Sequence, residues 1–184
     1  MKKRIIASFI SFALLLLFIS SCSVGTSEVK TSSKDYFPIV GGLDLQGNEQ
    51  TFPNCLEKDQ TICVVAYQRW QQEWVDEWYV EIEKVVNGNP KTLSYYEIPT
   101  ISKLSAPVRW WIHRGMRGGI TSEKMRSQVI TIHIDKESFN KHLEINDEEI
   151  VYIFILDNDG KIIYRDKGRF SDEKWLKLAN YLEQ

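Results

Sequence analysis

Residues 61–88, TICVVAYQRWQQEWVDEWYVEIEKVVNG, constrain the fold more than any other stretch of the chain. Ile62, Cys63, Val64, Val65, Ala66 and Tyr67 make an apolar, β-rich run of the length of a strand buried on both faces. Within two residues the period changes. Trp70, Trp74, Trp78, Ile82 and Val85 recur at helical spacing and predict one apolar stripe, widened by Val75, Tyr79 and Val86. Gln71, Gln72, Glu73, Asp76, Glu77, Glu81 and Lys84 take the other side, and Asn87, Gly88, Asn89 and Pro90 stop the helix. A buried strand turning directly into an amphipathic helix is the first half of a βαβ unit. Residues 92–98 (TLSYYEI), rich in strand formers and bounded by Pro99, predict its second strand.

The remaining segments arrange themselves around this unit. Residues 39–52 alternate around Gln46, Gly47 and Asn48 and predict a short hairpin. Pro53 and Asn54 are expected to begin a single helical turn carrying Cys55 and Leu56. Leu104, Val108, Trp111 and Ile112 predict a helix starting near Ser105, with Pro107 in its first turn and Gly115 or Gly118 and Gly119 at its end. Ser122 and Glu123 suit the start of another short helix. Residues 128–134 predict a third strand, and residues 136–143 a short helix turning Phe139 and Leu143 inward. Residues 150–156 (IVYIFIL) and 161–164 flank the turn Asp157, Asn158, Asp159, Gly160 as a second hairpin. Ser171 caps a last helix that packs through Trp175, Leu178, Ala179 and Leu182. The order describes an α/β domain, a mixed β-sheet flanked by helices, with an N-terminal β-hairpin and a helical insertion.

The first residues read as a targeting segment. Lys2, Lys3 and Arg4 precede an apolar run over residues 5–19, too short and wrongly flanked for a stable span. Ile19, Ser20, Ser21 and Cys22 resemble the lipobox of bacterial lipoproteins. That resemblance implies a signal peptide over residues 1–21 and a lipidated Cys22 carrying two or three acyl chains, enough for stable anchoring. Ser23, in place of aspartate, favours the outer membrane if the cell has two. Residues 22–35 are small and polar, as in a flexible tether, and residues 36–184 form one domain. Lys2, Lys3 and Arg4 are three of the 23 basic residues, leaving 20 against 25 acidic ones, so nothing points to nucleic acid. Membrane association is expected through the lipid.

The order of elements resembles the thioredoxin-like superfamily over most of residues 36–184. Three pieces are similar to the mitochondrial ATP synthase assembly-factor family: the strand and helix over 64–78 with Gln68, Arg69 and Trp70, the arginine-bearing segment 108–117, and VYIFILDNDGKI over 151–162. The resemblance implies a thioredoxin-like fold used to bind and help assemble a membrane protein. Thioredoxins place their redox cysteines where this chain has Tyr67, Gln68, Arg69 and Trp70. Their chemistry needs a low-pKa thiolate and a resolving cysteine, and this turn has neither. No proline stands near Glu149 and Ile150, where such proteins place a cis-proline facing the site. Copper-carrying relatives need cysteines at the same turn, so no cofactor is expected.

The remaining chemistry is sparse. Cys55 and Cys63 are left to pair as a disulfide or to stay free thiols. His113, His133 and His142 lack metal-ligand spacing, and no metal site is expected. Asp157 to Gly160 fits a hairpin turn better than a calcium loop. Arg109, Arg114 and Arg117, with Arg69 and His113, present guanidinium forks suited to carboxylates or phosphates, or else form a solvated face. Adjacent Trp110 and Trp111 point to different sides, so one is a candidate anchor. The leading reading is a protein-binding or assembly factor in the cell envelope, meeting an unknown client through Tyr67, Gln68, Arg69, Trp70, Arg109, Trp110, His113, Arg114 and Arg117. The alternatives are a thiol-disulfide oxidoreductase cycling Cys55 and Cys63, or a domain with only a structural role.

Overall fold

The computed structural model describes residues 33–182. The predicted signal peptide, Cys22 and most of the tether lie outside them. In chain order the elements are β1 (Val40–Asp44), β2 (Glu49–Phe52), β3 (Gln60–Ala66), α1 (Gln72–Gly88), β4 (Leu93–Ser102), α2 (Ala106–Gly119), α3 (Glu123–Gln128), β5 (Ile130–Ile134), α4 (Lys136–Leu143), β6 (Tyr152–Asp157), β7 (Ile162–Lys167) and α5 (Asp172–Ala179). The strands form one sheet in the order β2-β1-β5-β4-β3-β6-β7. β3, β4 and β5 run parallel, while the β1–β2 hairpin and the β6–β7 hairpin add antiparallel edges.

Every residue of β3 is buried, which suits a central strand covered on both faces. Its alternation divides the core in two. Cys63 and Val65 face a cluster with Phe37, Phe52, Phe139 and Phe154 on the α4 side. Ile62, Val64 and Ala66 face a second cluster with Trp78, Ile82, Tyr95 and Leu178 under α1 and α5. Phe37 holds the first cluster together, meeting Phe52, Phe139 and Phe154 at ring distances of 5.6, 5.9 and 5.9 Å.

Three local expectations change. β4 runs through Pro99 instead of stopping there. Its pairing with β3 ends at Ala66 opposite Pro99, and its pairing with β5 begins at Thr100, so the missing N–H falls where one partner hands over to the other. Residues 53–55 form the single turn expected there and not a longer helix: the Cys55 N–H donates to Thr51 O at 2.8 Å and the Leu56 N–H to Pro53 O at 2.9 Å. The inner stripe of α1 is rotated from the predicted one. Val75, Trp78, Ile82 and Val86 are buried, Trp74 and Val85 are half-buried, and Trp70 is 49% exposed. The cause is a 3-10 turn over Arg69–Gln71, whose three-residue period sends Gln71 inward and Trp70 out. Trp70 then rests edge-on against Trp74 at 5.2 Å.

On α2, likewise, Val108 and Trp111 leave the protein, and Arg109, Ile112, His113 and Met116 form the half-buried side. Both adjacent tryptophans are exposed, Trp110 by 62% and Trp111 by 72%. Among the described residues no helix is long and apolar enough to cross a membrane.

Candidate functional site

The C-terminal end of β3 and the start of α1 are closed by a buried glutamine. Gln71 is fully buried, and its Oε1 accepts from the N–H groups of Tyr67 (2.7 Å) and Gln68 (3.0 Å). Its Nε2 donates to Glu148 O at 2.8 Å, in the loop before β6. One amide therefore satisfies the turn and ties it to the neighbouring loop. Around it, Tyr67 Oη donates to Asn140 Oδ1 (2.5 Å), Asn140 Nδ2 donates to Glu148 Oε1 (2.8 Å), and Lys136 pairs with Glu148. The Lys136 ammonium also sits over the Tyr67 ring. Burial, then the charge of Glu148, pushes the Tyr67 phenol up. Arg69 and Trp70 stay at the surface. The turn is a polar lock with no nucleophile in it.

Gln71, Lys136, Asn140 and Glu148 were not legible as site residues in the sequence. The helical period places Gln71 on the solvent side, and the others come from a different helix and loop.

Cys55 and Cys63 are free thiols. Cys63 is fully buried in β3, and burial, with Cys55 adding to it, drives its thiol well above the ordinary value. Cys55 is half-buried; burial pushes its thiol up to about 11, opposed by a backbone hydrogen bond. Both environments disfavour the thiolate that disulfide exchange requires.

The insertion α2–α3 forms the second region. Polar contacts hold it to the end of the first hairpin: His113 Nε2 lies 2.7 Å from Asp44 O, Gln46 Nε2 donates to Glu123 O at 2.9 Å, and Leu45 N–H donates to Arg126 O at 2.9 Å. Deeper in, Thr131 Oγ1 meets Met116 Sδ at 3.8 Å. Ser105 and Ser122 occupy the two N-cap positions, and Ser122 accepts from the Met125 N–H. Trp110, His113, Arg114, Arg117, Gly118 and Arg126 line an open cleft of about 450 Å³.

Inside the cleft, Arg114 lies over the Trp110 ring at 5.4 Å. Arg126 donates through Nε to Ile120 O (2.7 Å) and through Nη2 to Arg117 O (3.3 Å), bridging the end of α2 to α3.

Of the nine residues singled out from the sequence, four share this cleft: Trp110, His113, Arg114 and Arg117. Arg109 does not line the cleft; it is half-buried, and its charge, after burial, lowers the proton affinity of His133 on β5. Tyr67, Gln68, Arg69 and Trp70 belong to the separate turn. The three histidines stay apart in role. His142 Nε2 bonds Tyr36 O at 2.8 Å, and His133 Nδ1 is buried without a partner. Among the described residues, no three His, Cys, Asp or Glu side chains come together as metal ligands.

Comparison with known proteins settles the family. The ATP10 protein family matches residues 25–182. The chain belongs to the ATP10 family. No curated protein matches this ATP10-family chain. Solved structures share its fold at low identity. The exposed lipoprotein thioredoxin of Streptococcus pneumoniae aligns with TM-score 0.53 and 7% identity, over 78% of this chain and 99% of that one. A conserved protein of unknown function from Bacteroides fragilis gives 0.50 and 12%, over 81% and 99%. An uncharacterized conserved protein from Geobacillus kaustophilus gives 0.50 and 15%, over 81% and 72%. The fold of this ATP10-family chain is therefore thioredoxin-like, built from a mixed sheet with helices on both faces.

Proposed function

We propose that the chain is a lipid-anchored, extracytoplasmic assembly factor of a bacterial cell envelope, which holds a protein client and performs no dithiol chemistry. Membership of the ATP10 assembly-factor family supports the role, and the lipobox-like Ile19, Ser20, Ser21 and Cys22 support the anchor. The observation that carries the reading is α2. This helix of fourteen residues buries none of them, yet presents Trp110 and Trp111 to solvent beside Arg114 and Arg117. Exposed aromatic and arginine side chains on a helix held to the sheet through His113 and Met116 are the make-up of a binding surface. The Gln71 lock supports the second half of the reading, because Gln68 and Arg69 occupy the turn where thiol exchange would need cysteine.

A photo-crosslinking amino acid at Trp111 of the lipoprotein, in its own membrane, tests the reading. We expect a discrete protein adduct that a Trp110→Ala/Arg114→Ala double substitution removes, while a probe at exposed Leu176 on α5 gives none. Equal adducts from both positions, or from wild type and double mutant, refute it. Labelled palmitate should enter wild type and not Cys22→Ser.

A further inference from the structure

We infer that the α2–α3 cleft recognises an acidic segment of its client: neighbouring carboxylates seated on Arg114 and Arg117, with an adjoining apolar side chain against Trp110. This rests on the client-binding reading above and names the chemistry of the client.

Charge segregation is the first support. Lys103, Arg109, Arg114, Arg117, Lys124 and Arg126 stand against Glu123 alone between residues 103 and 128. The whole chain carries −2, so a segment near +5 is set against a remainder near −7. The second support is that the chain's own acids leave these arginines alone. Its ion pairs join Lys34, Lys84, Lys136, Arg169 and Lys177 to glutamates, and among the described residues no carboxylate pairs with Arg114, Arg117 or Arg126. Arginines inside an acidic protein that pair with nothing at home are available to a partner.

Geometry narrows the class. Arg114 is laid over Trp110, so its planar fork is held before anything binds, and Arg126 commits Nε and Nη2 to the carbonyls of Ile120 and Arg117, which fixes the backbone that carries Arg117 beside it. Carboxylates match such forks with paired hydrogen bonds. A membrane surface fits less well. A helix lying on lipid needs one continuous apolar face with basic flanks. On α2, Trp110 shares its side with Arg114 and Arg117, Trp111 and Val108 project from another, and the charged side is concave.

The test uses the mature lipidated protein in phosphatidylcholine nanodiscs. The probes are a fluorescein-labelled peptide with two adjacent glutamates beside a leucine and the same peptide with glutamines. Anisotropy should show the glutamate peptide binding at least tenfold more tightly, with affinity falling as salt rises. Arg114→Ala/Arg117→Ala should cost at least tenfold, and Lys177→Ala on the exposed face of α5 should change nothing. Equal binding of the glutamine peptide, or indifference to the double substitution, overturns the inference. Nanodiscs of brominated phosphatidylglycerol form a second arm. Quenching of tryptophan fluorescence there that is lost in Trp110→Phe and in the double arginine substitution, without peptide binding, would assign the cleft to lipid. If the Trp111 adduct survives Arg114→Ala/Arg117→Ala but not Trp110→Ala, the client reading stands and the acidic specificity falls. If no adduct forms in any variant, the client reading itself fails.

Discussion

Replacing Glu97 by glutamine is expected to stabilise the protein by about 2–3 kcal/mol more at pH 8 than at pH 5. Glu97 lies on β4, 6% exposed, where its side chain faces α1 and lines a small cleft with Val75, Asp76, Tyr79, Tyr95 and Gln128. Burial pushes its carboxyl from the ordinary 4.5 up to about 7; a hydrogen bond from Gln72 opposes this and the charge of Asp76 adds to it. The folded protein thus keeps a proton that the unfolded chain releases between about pH 4.5 and 7. Stability falls as pH rises through that window, and the loss levels off above it. At about 1.36 kcal/mol per pKa unit the full interval is worth ~3 kcal/mol, of which ~1 kcal/mol is already lost at pH 5. Glutamine keeps the volume and carries no charge. Urea unfolding of both proteins at pH 5, 6, 7 and 8 gives the difference directly, and melting temperatures should separate by ~5–10 °C at pH 8 relative to pH 5. A difference that stays constant across that range would show that Glu97 is ionised in the fold, and the burial argument would be wrong.

Three further outcomes follow from the same reasoning. Gln71→Ala should cost about 2–4 kcal/mol in urea unfolding, because it strands the Tyr67 and Gln68 N–H groups and Glu148 O in a buried turn; a loss below 0.5 kcal/mol would mean that water replaces the amide. With its thiol near 11, Cys55 should hold about one thiolate per thousand molecules at pH 8, so Ellman's reagent should modify it far more slowly than free cysteine and leave Cys63 untouched in the native state. Gly160 has φ +81°, and a Cβ there would lie 2.3 Å from Pro53 Cβ. Gly160→Ala should therefore lower stability by more than the ~1–2 kcal/mol of the left-handed backbone alone, read as a lower denaturation midpoint.

Much of the architecture was legible because it depends on local pattern. The apolar run ending at Ala66, the helical period behind it, the Ser122 and Ser171 caps and the hairpin around Gly47 (φ +100°) are all short-range properties. The same patterns misjudged α1 and α2. A stripe of tryptophans at spacing four fits a regular helix, and the 3-10 turn at its start depends on Gln71 finding Glu148, seventy-seven residues away. On α2 the apolar spacing of Val108 and Trp111 suggested an inner face. The part of the sheet it meets, at β1 and β5, offers the polar Asp44 O and Thr131, and so selects His113 and Met116 instead.

For function, the sequence by itself determined what this protein lacks and where it carries charge: no cysteine at the turn after β3, and six basic residues gathered in one insertion. Those are facts of composition and order, and folding cannot alter them. Tertiary structure alone decided which arginines share a cleft. Arg109 and Arg114 are equal candidates in the sequence, but the fold half-buries the first, close enough for its charge to act on His133, and leaves the second over Trp110 at the cleft. Helical rotation fixes their relative directions, and only the surface that α2 settles on decides which of the two lines the cleft.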